Sequence, residues 1–149
     1  IGMSVRKGTP KPDISTVDAL KQTLLNAKSI AYSASASGTY LSTELFQRLG
    51  VAEQIKDKAT KIYSERVGTV VLRGDAEIGF QQVSELLPFK ELDYVGPLPD
   101  EVQQRVFFSA GVAVGTQNPE AARHLIRFLA APAAAAIVRS TGMEPAAAR

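Results

Sequence analysis

The 149-residue chain contains no cysteine and a single histidine. Without cysteine it can form no disulfide and offers no thiolate for catalysis. His124 lies beside Arg123 in a predicted helix and has no second histidine with which to share a transition metal. No Ser–His–Asp order is supported either, because no motif supplies an orienting partner for this histidine. We therefore expect no metal, no cofactor and no catalytic residue, and we predict that the chain is not an enzyme.

Long apolar runs and dense clusters of one charge are also missing. A membrane-spanning helix needs about 20 apolar residues, and the alanine-rich segment 130–138 is too short and contains Pro132. The net charge of +2 arises from scattered lysines and arginines, whereas nucleic-acid-binding proteins usually show a basic stripe or cluster. Glycine-rich phosphate loops are absent as well. We therefore expect neither a membrane span nor a nucleic-acid partner.

The chain instead alternates short apolar runs with amphipathic stretches. Strands are predicted at 1–5, 29–32, 61–63, 76–80 and 92–95, and further strands at 106–108 and 111–114. Helices are predicted after Ser15, at 39–49, 67–73 and 83–87, after Asn118, and from Pro132 to Gly142. Alternation over this many repeats indicates parallel β-α-β units and an α/β fold.

Several residues mark where the predicted helices begin and end. Ser15 is the predicted N-cap of the first helix, with Asp18 three residues later. Gly50 and Gly74 follow two helices in the usual C-terminal position. Pro119, after Asn118, occupies the first position of a later helix, where its missing N–H is not needed.

Polar residues follow three predicted strands, at 33–39, 64–66 and 81–84. In parallel sheets, ligands bind beyond the carboxyl ends of the strands, where helices begin and offer unpaired N–H donors. The candidate ligand-binding residues are Ser35, Ser37, Gly38, Thr39, Ser64, Arg66, Gln81 and Gln82. Two alternatives stay open: the serine loop is also typical of a solvent-exposed capping turn, and Arg66 could bind an anion or pair with Glu65 or an exposed neighbour.

Four segments, in order along nearly the whole chain, resemble one protein family. They are 5–8 (VRKG), 37–40 (SGTY), 71–79 (VLRGDAEIG) and the closing segment from 118–122 (NPEAA) to Gly142. The chain resembles the periplasmic substrate-binding proteins of ABC importers, most closely the molybdate-binding branch of the type 2 periplasmic binding fold. That resemblance implies two lobes around an anion that neutral donors hold in the cleft between them.

The resemblance places the donors of the second lobe at Ser37, Ser64 and Gln82. The sequence departs from the family pattern where the family's aspartate-proline is replaced by alternating serine and alanine, and where the family's tyrosine is matched by Gln82. The implied ligand is a small anion, either a molybdate-like oxyanion or an organic carboxylate.

The resemblance also implies a domain organisation. Residues 1–8 form a crossover strand, 9–96 the second ligand-binding lobe, and 97–149 the return crossover and C-terminal helices of the first lobe. The rest of the first lobe would then lie upstream of Ile1, and a chain without it could form a homodimer or exchange strands.

The expected function is that of a periplasmic solute-binding component that delivers its solute to an ABC permease. The alternative is the ligand-sensing effector domain of a transcriptional regulator, which has the same two-lobed topology.

Overall fold

The computed structural model describes residues 1–145. The chain consists of two compact units, Ile1–Val106 and Phe107–Arg149. The first unit is built on a five-stranded sheet. Its strands are β1 (Gly2–Arg6), β2 (Ile30–Ser33), β3 (Ala59–Ile62), β4 (Ile78–Gln81) and β5 (Leu92–Pro97). Their spatial order is β3-β2-β4-β1-β5. The predicted α/β class is confirmed.

Strand direction distinguishes β1 from the other four strands. β2 runs parallel to β3 and to β4, whereas β1 runs antiparallel to both of its neighbours, β4 and β5. Four strands therefore share one direction and one opposes them. The carboxyl ends of β2, β3 and β4 consequently lie at the same edge of the sheet.

Short helices connect these strands in the first unit. They are α1 (Val17–Asn26), α2 (Ala36–Tyr40), α3 (Phe46–Arg48), α4 (Ala52–Ile55), α5 (Val67–Arg73) and α6 (Val83–Leu86). The predicted cap of α1 is wrong by one residue. Thr16, not Ser15, accepts the Ala19 N–H through its hydroxyl, at 3.1 Å. The predicted end of α5 is confirmed, since Gly74 adopts the left-handed conformation with φ of 88°.

A π turn, Leu41–Leu45, joins α2 to α3 in one helical segment. Its wider winding is visible where the N–H of Phe46 donates to the carbonyl of Leu41, five residues earlier. The hydroxyls of Ser42 and Thr43 donate to carbonyls of the preceding turn at 2.9 and 2.8 Å. These hydroxyls give carbonyls a partner where the regular α-helical ladder is interrupted.

The core of the first unit lies on both faces of its sheet. The larger cluster contains fully buried side chains such as Met3, Leu20 and Phe80, and Tyr32 meets Phe46 edge to face at 5.7 Å. The smaller cluster lies on the opposite face and consists of Val67, Val70 and Val71 of α5 together with Ala31, Ala76 and Leu92. Burial on both faces explains why the central strands read as continuous apolar runs.

The second unit, described over residues 107–145, contains α7 (Pro119–Ala130), a 3-10 turn (Pro132–Ala134) and α8 (Ala135–Ser140). Pro119 occupies the first turn of α7, as predicted, although the side chain of Asn118 makes no capping bond. The strands predicted at 106–108 and 111–114 are wrong, because those residues are irregular. An apolar run becomes a strand only where another strand offers its backbone, and residues 107–145 contain none.

The described helices of the second unit expose much of their apolar surface. Leu125, Phe128 and Leu129 of α7 are all exposed, as is Ile137 of α8. No single described helix is long and apolar enough to cross a membrane; Pro119–Ala130 and Pro132–Ser140, bent by 55°, reach that length and composition only as a pair.

Candidate ligand-binding site

The carboxyl end of β2 lies between the carboxyl ends of β3 and β4. The register pairs Ser33 with Ile62 on one side and Tyr32 with Phe80 on the other. The loops that follow these strands therefore start side by side along one edge. The serine loop after β2 is the central one, with Ser64 following β3 and Gln82 following β4.

Three serine hydroxyls form a triangle at the end of β2. The Oγ atoms of Ser33 and Ser35 are 2.7 Å apart, those of Ser33 and Ser37 are 3.0 Å apart, and those of Ser35 and Ser37 are 3.2 Å apart. Ser37 is completely buried and Ser33 is 5% exposed, whereas Ser35 is exposed. Of the three, Ser35 is therefore the residue that meets solvent, and the other two lie behind it.

Gly38 allows α2 to approach the end of β2 closely. A Cβ atom at this position would lie 1.6 Å from the carbonyl oxygen of Ser33, far inside any permitted contact. The requirement for glycine here thus comes from packing of the helix against the strand. This close approach also brings Ser37 within hydrogen-bonding distance of Ser33.

The backbone donors of the serine loop are only partly available. The N–H of Thr39 donates to the carbonyl of Ser35 at 2.9 Å, so it is already used inside the helix. The preceding residues of α2 lie in its first turn, where N–H groups have no helical carbonyl to bind. The hydroxyl of Thr39 is exposed beside them.

The two candidate glutamines occupy different environments. Gln81 is 8% exposed, and its side-chain Oε1 accepts the N–H of Val67, the first residue of α5, at 3.1 Å. Gln82 is half-buried and precedes α6 without capping it through its side chain. Ser64, after β3, is exposed.

The arginines near this edge pair with carboxylates. Arg66 Nε lies 3.4 Å from Glu85 Oε2, so the arginine pairs with this half-buried glutamate and not with Glu65. Glu65 instead binds both terminal nitrogens of Arg73 at 3.0 Å, and this hydrogen bonding lowers the pKa of the Glu65 carboxyl. The Arg73–Asp75 pair, at 2.7 Å, completes the helix end and turn that the sequence predicts there.

Two buried tyrosines flank the serine loop, Tyr32 before it and Tyr40 after it. Burial raises the pKa of Tyr32, which packs on Phe46, and that of Tyr40. The hydroxyl of Tyr40 donates to the carbonyl of Val102 at 2.8 Å. Both phenols therefore remain neutral at physiological pH.

A groove of about 440 Å³ runs along the exposed side of α2. Thr39 is the candidate residue that lines it, together with Glu44 and Arg105 among others. The described residues contain no group of histidines and carboxylates suited to a metal ion, and His124 is exposed.

Ser33 lies in the polar segment predicted at 33–39 but is not among the candidate residues, although its hydroxyl is within hydrogen-bonding distance of both Ser35 and Ser37. A signal was present in the strand itself, because successive side chains of a strand point to opposite faces, so Ser33, at the end of β2, had to point to one face of the sheet at its edge.

The chain is similar to known proteins over almost its whole length. A family model of bacterial extracellular solute-binding proteins matches residues 1–144. An aconitate isomerase from a Pseudomonas species is 48% identical over 145 residues, which are 97% of this chain and 55% of that protein. The chain therefore spans about half the length of that curated relative.

A solved structure shares the fold. It is described as the substrate binding domain of a molybdenum ABC transporter from Clostridium difficile, and it matches with a TM-score of 0.70 at 19% identity. The match covers 98% of this chain and 63% of the other. At this identity the likeness shows the architecture, which is that of a periplasmic substrate-binding domain.

Proposed function

Since the chain belongs to the bacterial extracellular solute-binding proteins, we propose that it captures a small anion at the serine-lined edge of its sheet for an ABC transport system. The solute would be held in a cleft between two lobes and passed to a permease in the membrane. The proposed location is the periplasm.

The serine triangle is the observation that carries this proposal. Ser35 meets solvent at the central strand end, and Ser33 and Ser37 hold its hydroxyl from behind. Hydrogen bonds from such neutral donors to an ionised acceptor are roughly twice as strong as those between neutral groups. Arg66 and Arg73 are already paired with carboxylates, so the triangle supports recognition of an anion by hydroxyls and amides.

We favour an organic carboxylate over molybdate as the solute. The relative at 48% identity is named for aconitate, whereas the neighbour named for molybdenum is only 19% identical. A molecule with several carboxyl groups can present a separate one to the loops after β2, β3 and β4. This arrangement suits three neighbouring donor loops on one edge.

The proposed domain organisation follows the resemblance. Residues 1–8, which include β1, enter the second lobe, residues 9–96 complete it, and residues 97–149 return to the first lobe. In this arrangement the two lobes close over the solute and exclude water.

Isomerisation of aconitate is a second candidate function, and the identity with the named isomerase favours it. Isomerising an unsaturated carboxylate requires a group that takes a proton and returns it elsewhere. Glu65 and Glu85, in the segments that follow β3 and β4, are both ion-paired, whereas Glu44, which lines the groove along α2, forms no ion pair with the described residues. Capture without chemistry remains the first candidate because the chain belongs to the extracellular solute-binding family, and the same family favours it over the sensor of a transcriptional regulator.

Calorimetry on the full-length protein tests the proposal with cis-aconitate, trans-aconitate, citrate and molybdate. We expect a carboxylate to bind most tightly, and Ser35→Ala to weaken its binding by about tenfold or more, the loss of one hydrogen bond to a charged group. Ser15→Ala, another exposed serine, is the matched control and should bind like the wild type.

Two results would change the conclusion. Tight binding of a neutral or cationic solute, with no anion bound, would refute the proposal. Catalytic conversion of cis-aconitate to its trans isomer, followed by chromatography, would establish the second candidate in its place.

A further inference from the structure

We propose that Gln81 determines the specificity of this site, because its amide is held so that it can only donate a hydrogen bond to the solute. This inference rests on the proposed function and concerns the class of chemical group that the site admits. It predicts that the group facing Gln81 is a hydrogen-bond acceptor, such as a carboxylate or another oxyanion.

The side chain of Gln81 reaches from the end of β4 to the beginning of α5. Its Oε1 accepts the N–H of Val67 at 3.1 Å. Val67 is the first residue of α5, and Arg66 before it provides no side-chain cap. Gln81 thus supplies, from the strand that follows α5, the acceptor that the start of this helix requires.

This contact fixes which end of the amide faces outward. A carboxamide carries an acceptor oxygen and a donor NH₂, and its partners decide the orientation. The N–H of Val67 can only donate, so the oxygen must face it and the NH₂ must point away. A reversed amide would place two donors against each other.

The outward NH₂ of Gln81 has no protein partner among residues 1–145. Gln81 is 92% buried as a residue. Among the described residues, however, the only side-chain polar atom that is fully buried and has no hydrogen-bond partner is the Oγ of Ser4, so the NH₂ nitrogen of Gln81 is not fully buried. The NH₂ of Gln81 therefore reaches solvent, at the end of β4 where the proposed site begins. It is a preorganised donor held by an otherwise buried side chain.

Gln81 also lies next to the serine triangle. Tyr32 and Phe80 are paired in the parallel register of β2 and β4, so the following residues, Ser33 and Gln81, are neighbours on one face of the sheet. The NH₂ of Gln81 can only donate a hydrogen bond, and the serine hydroxyls beside it can also donate. A solute group that must itself donate would therefore find no acceptor at Gln81. An ammonium or an N–H group at this position would meet a donor.

Gln81→Glu tests this inference with almost no change in shape. The carboxylate can still accept the Val67 N–H, and a negative charge suits the start of a helix, so the fold should be retained. The outward NH₂, however, becomes an oxygen that repels an anion. Gln22→Glu, an exposed glutamine of α1, is the control for the change in net charge.

With cis-aconitate and molybdate as probes for calorimetry on the full-length protein, we expect Gln81→Glu to weaken binding by about 100-fold or more. Its melting temperature should stay within a few degrees of the wild type, and Gln22→Glu should bind like the wild type. Equal affinity of Gln81→Glu and wild type would overturn the role of Gln81 while leaving anion capture intact. If the wild type binds neither probe, the proposed function fails for both anions and this inference fails with it.

A second measurement decides the question if the variant does not fold. In the wild type, the side-chain NH₂ resonances of Gln81 should shift downfield when cis-aconitate is added, whereas those of Gln22 should not. Unchanged Gln81 resonances in a protein that binds the anion would refute the inference.

Discussion

Replacing Gly38 with alanine should destabilise the protein, although alanine is the better helix former. The added Cβ would lie 1.6 Å from the carbonyl oxygen of Ser33 and 2.7 Å from its carbonyl carbon. An ordinary contact begins at about 3.4 Å, so the overlap is roughly 2 Å. Because the opposing atoms belong to the backbone, no side-chain rotation can relieve it, and α2 must move away from β2.

The size of the effect follows from what that movement breaks. Gly→Ala gains about 1 kcal/mol of helix propensity. Against this stand the overpacking, which costs about 1–3 kcal/mol, and two hydrogen bonds of Ser37 at about 1 kcal/mol each. We expect a net loss of about 3 kcal/mol in the free energy of unfolding, or roughly 10 °C in the melting temperature.

Urea denaturation followed by circular dichroism measures this loss. Gly111→Ala is the matched control, since a Cβ there meets nothing within 4 Å, and its stability should stay within about 0.5 kcal/mol of the wild type. The Gly38→Ala variant should also lose affinity for the anion, because the serine triangle is displaced. A variant as stable as the wild type, or more so, would refute the close approach of α2 to β2.

The remaining predictions concern one buried hydrogen bond and one exposed ion pair. Tyr40→Phe leaves the carbonyl of Val102 without its donor and should lower the free energy of unfolding by about 1–2 kcal/mol in urea titrations; an unchanged midpoint would contradict the Tyr40–Val102 bond. Because hydrogen bonding to Arg73 lowers the pKa of Glu65 below 4.5, the pair stabilises the folded state above that pH and loses this effect as pH falls through the lowered value. Glu65→Gln should therefore be less stable than the wild type at pH 7 and equal to it near pH 2, and a difference that persists in acid would exclude this origin.

Local signals predicted most of the first unit. Apolar runs between breakers located the strands, and Gly74 marked the end of α5 because only the left-handed conformation closes that turn. The cap of α1 was misassigned because Ser15 and Thr16 are adjacent hydroxyl residues and either suits the position. The direction of β1 depends on which strands flank it, and no local pattern contains that information.

Tertiary contacts account for what the sequence did not predict at the site. The serine loop was recognisable from composition, but the burial of Ser37 depends on how closely Gly38 lets the helix approach. The hydrogen bond of Gln81 joins residues 14 positions apart, on a strand and on a helix, so its orientation follows only from the fold. The failed strands at 106–108 and 111–114 show the same dependence, since an apolar run specifies no partner by itself.

The π turn at Leu41–Leu45 sets the orientation of the serine loop relative to the helical residues that follow the turn. Each α-helical residue advances the winding by about 100°, so removing one residue here would restore a regular helix and rotate everything before it relative to Leu45 and Phe46. Ser35 and Ser37 would then face a different direction without any change in their identity. Insertions and deletions in this turn are therefore a route by which related proteins can redirect the same hydroxyls toward a different solute.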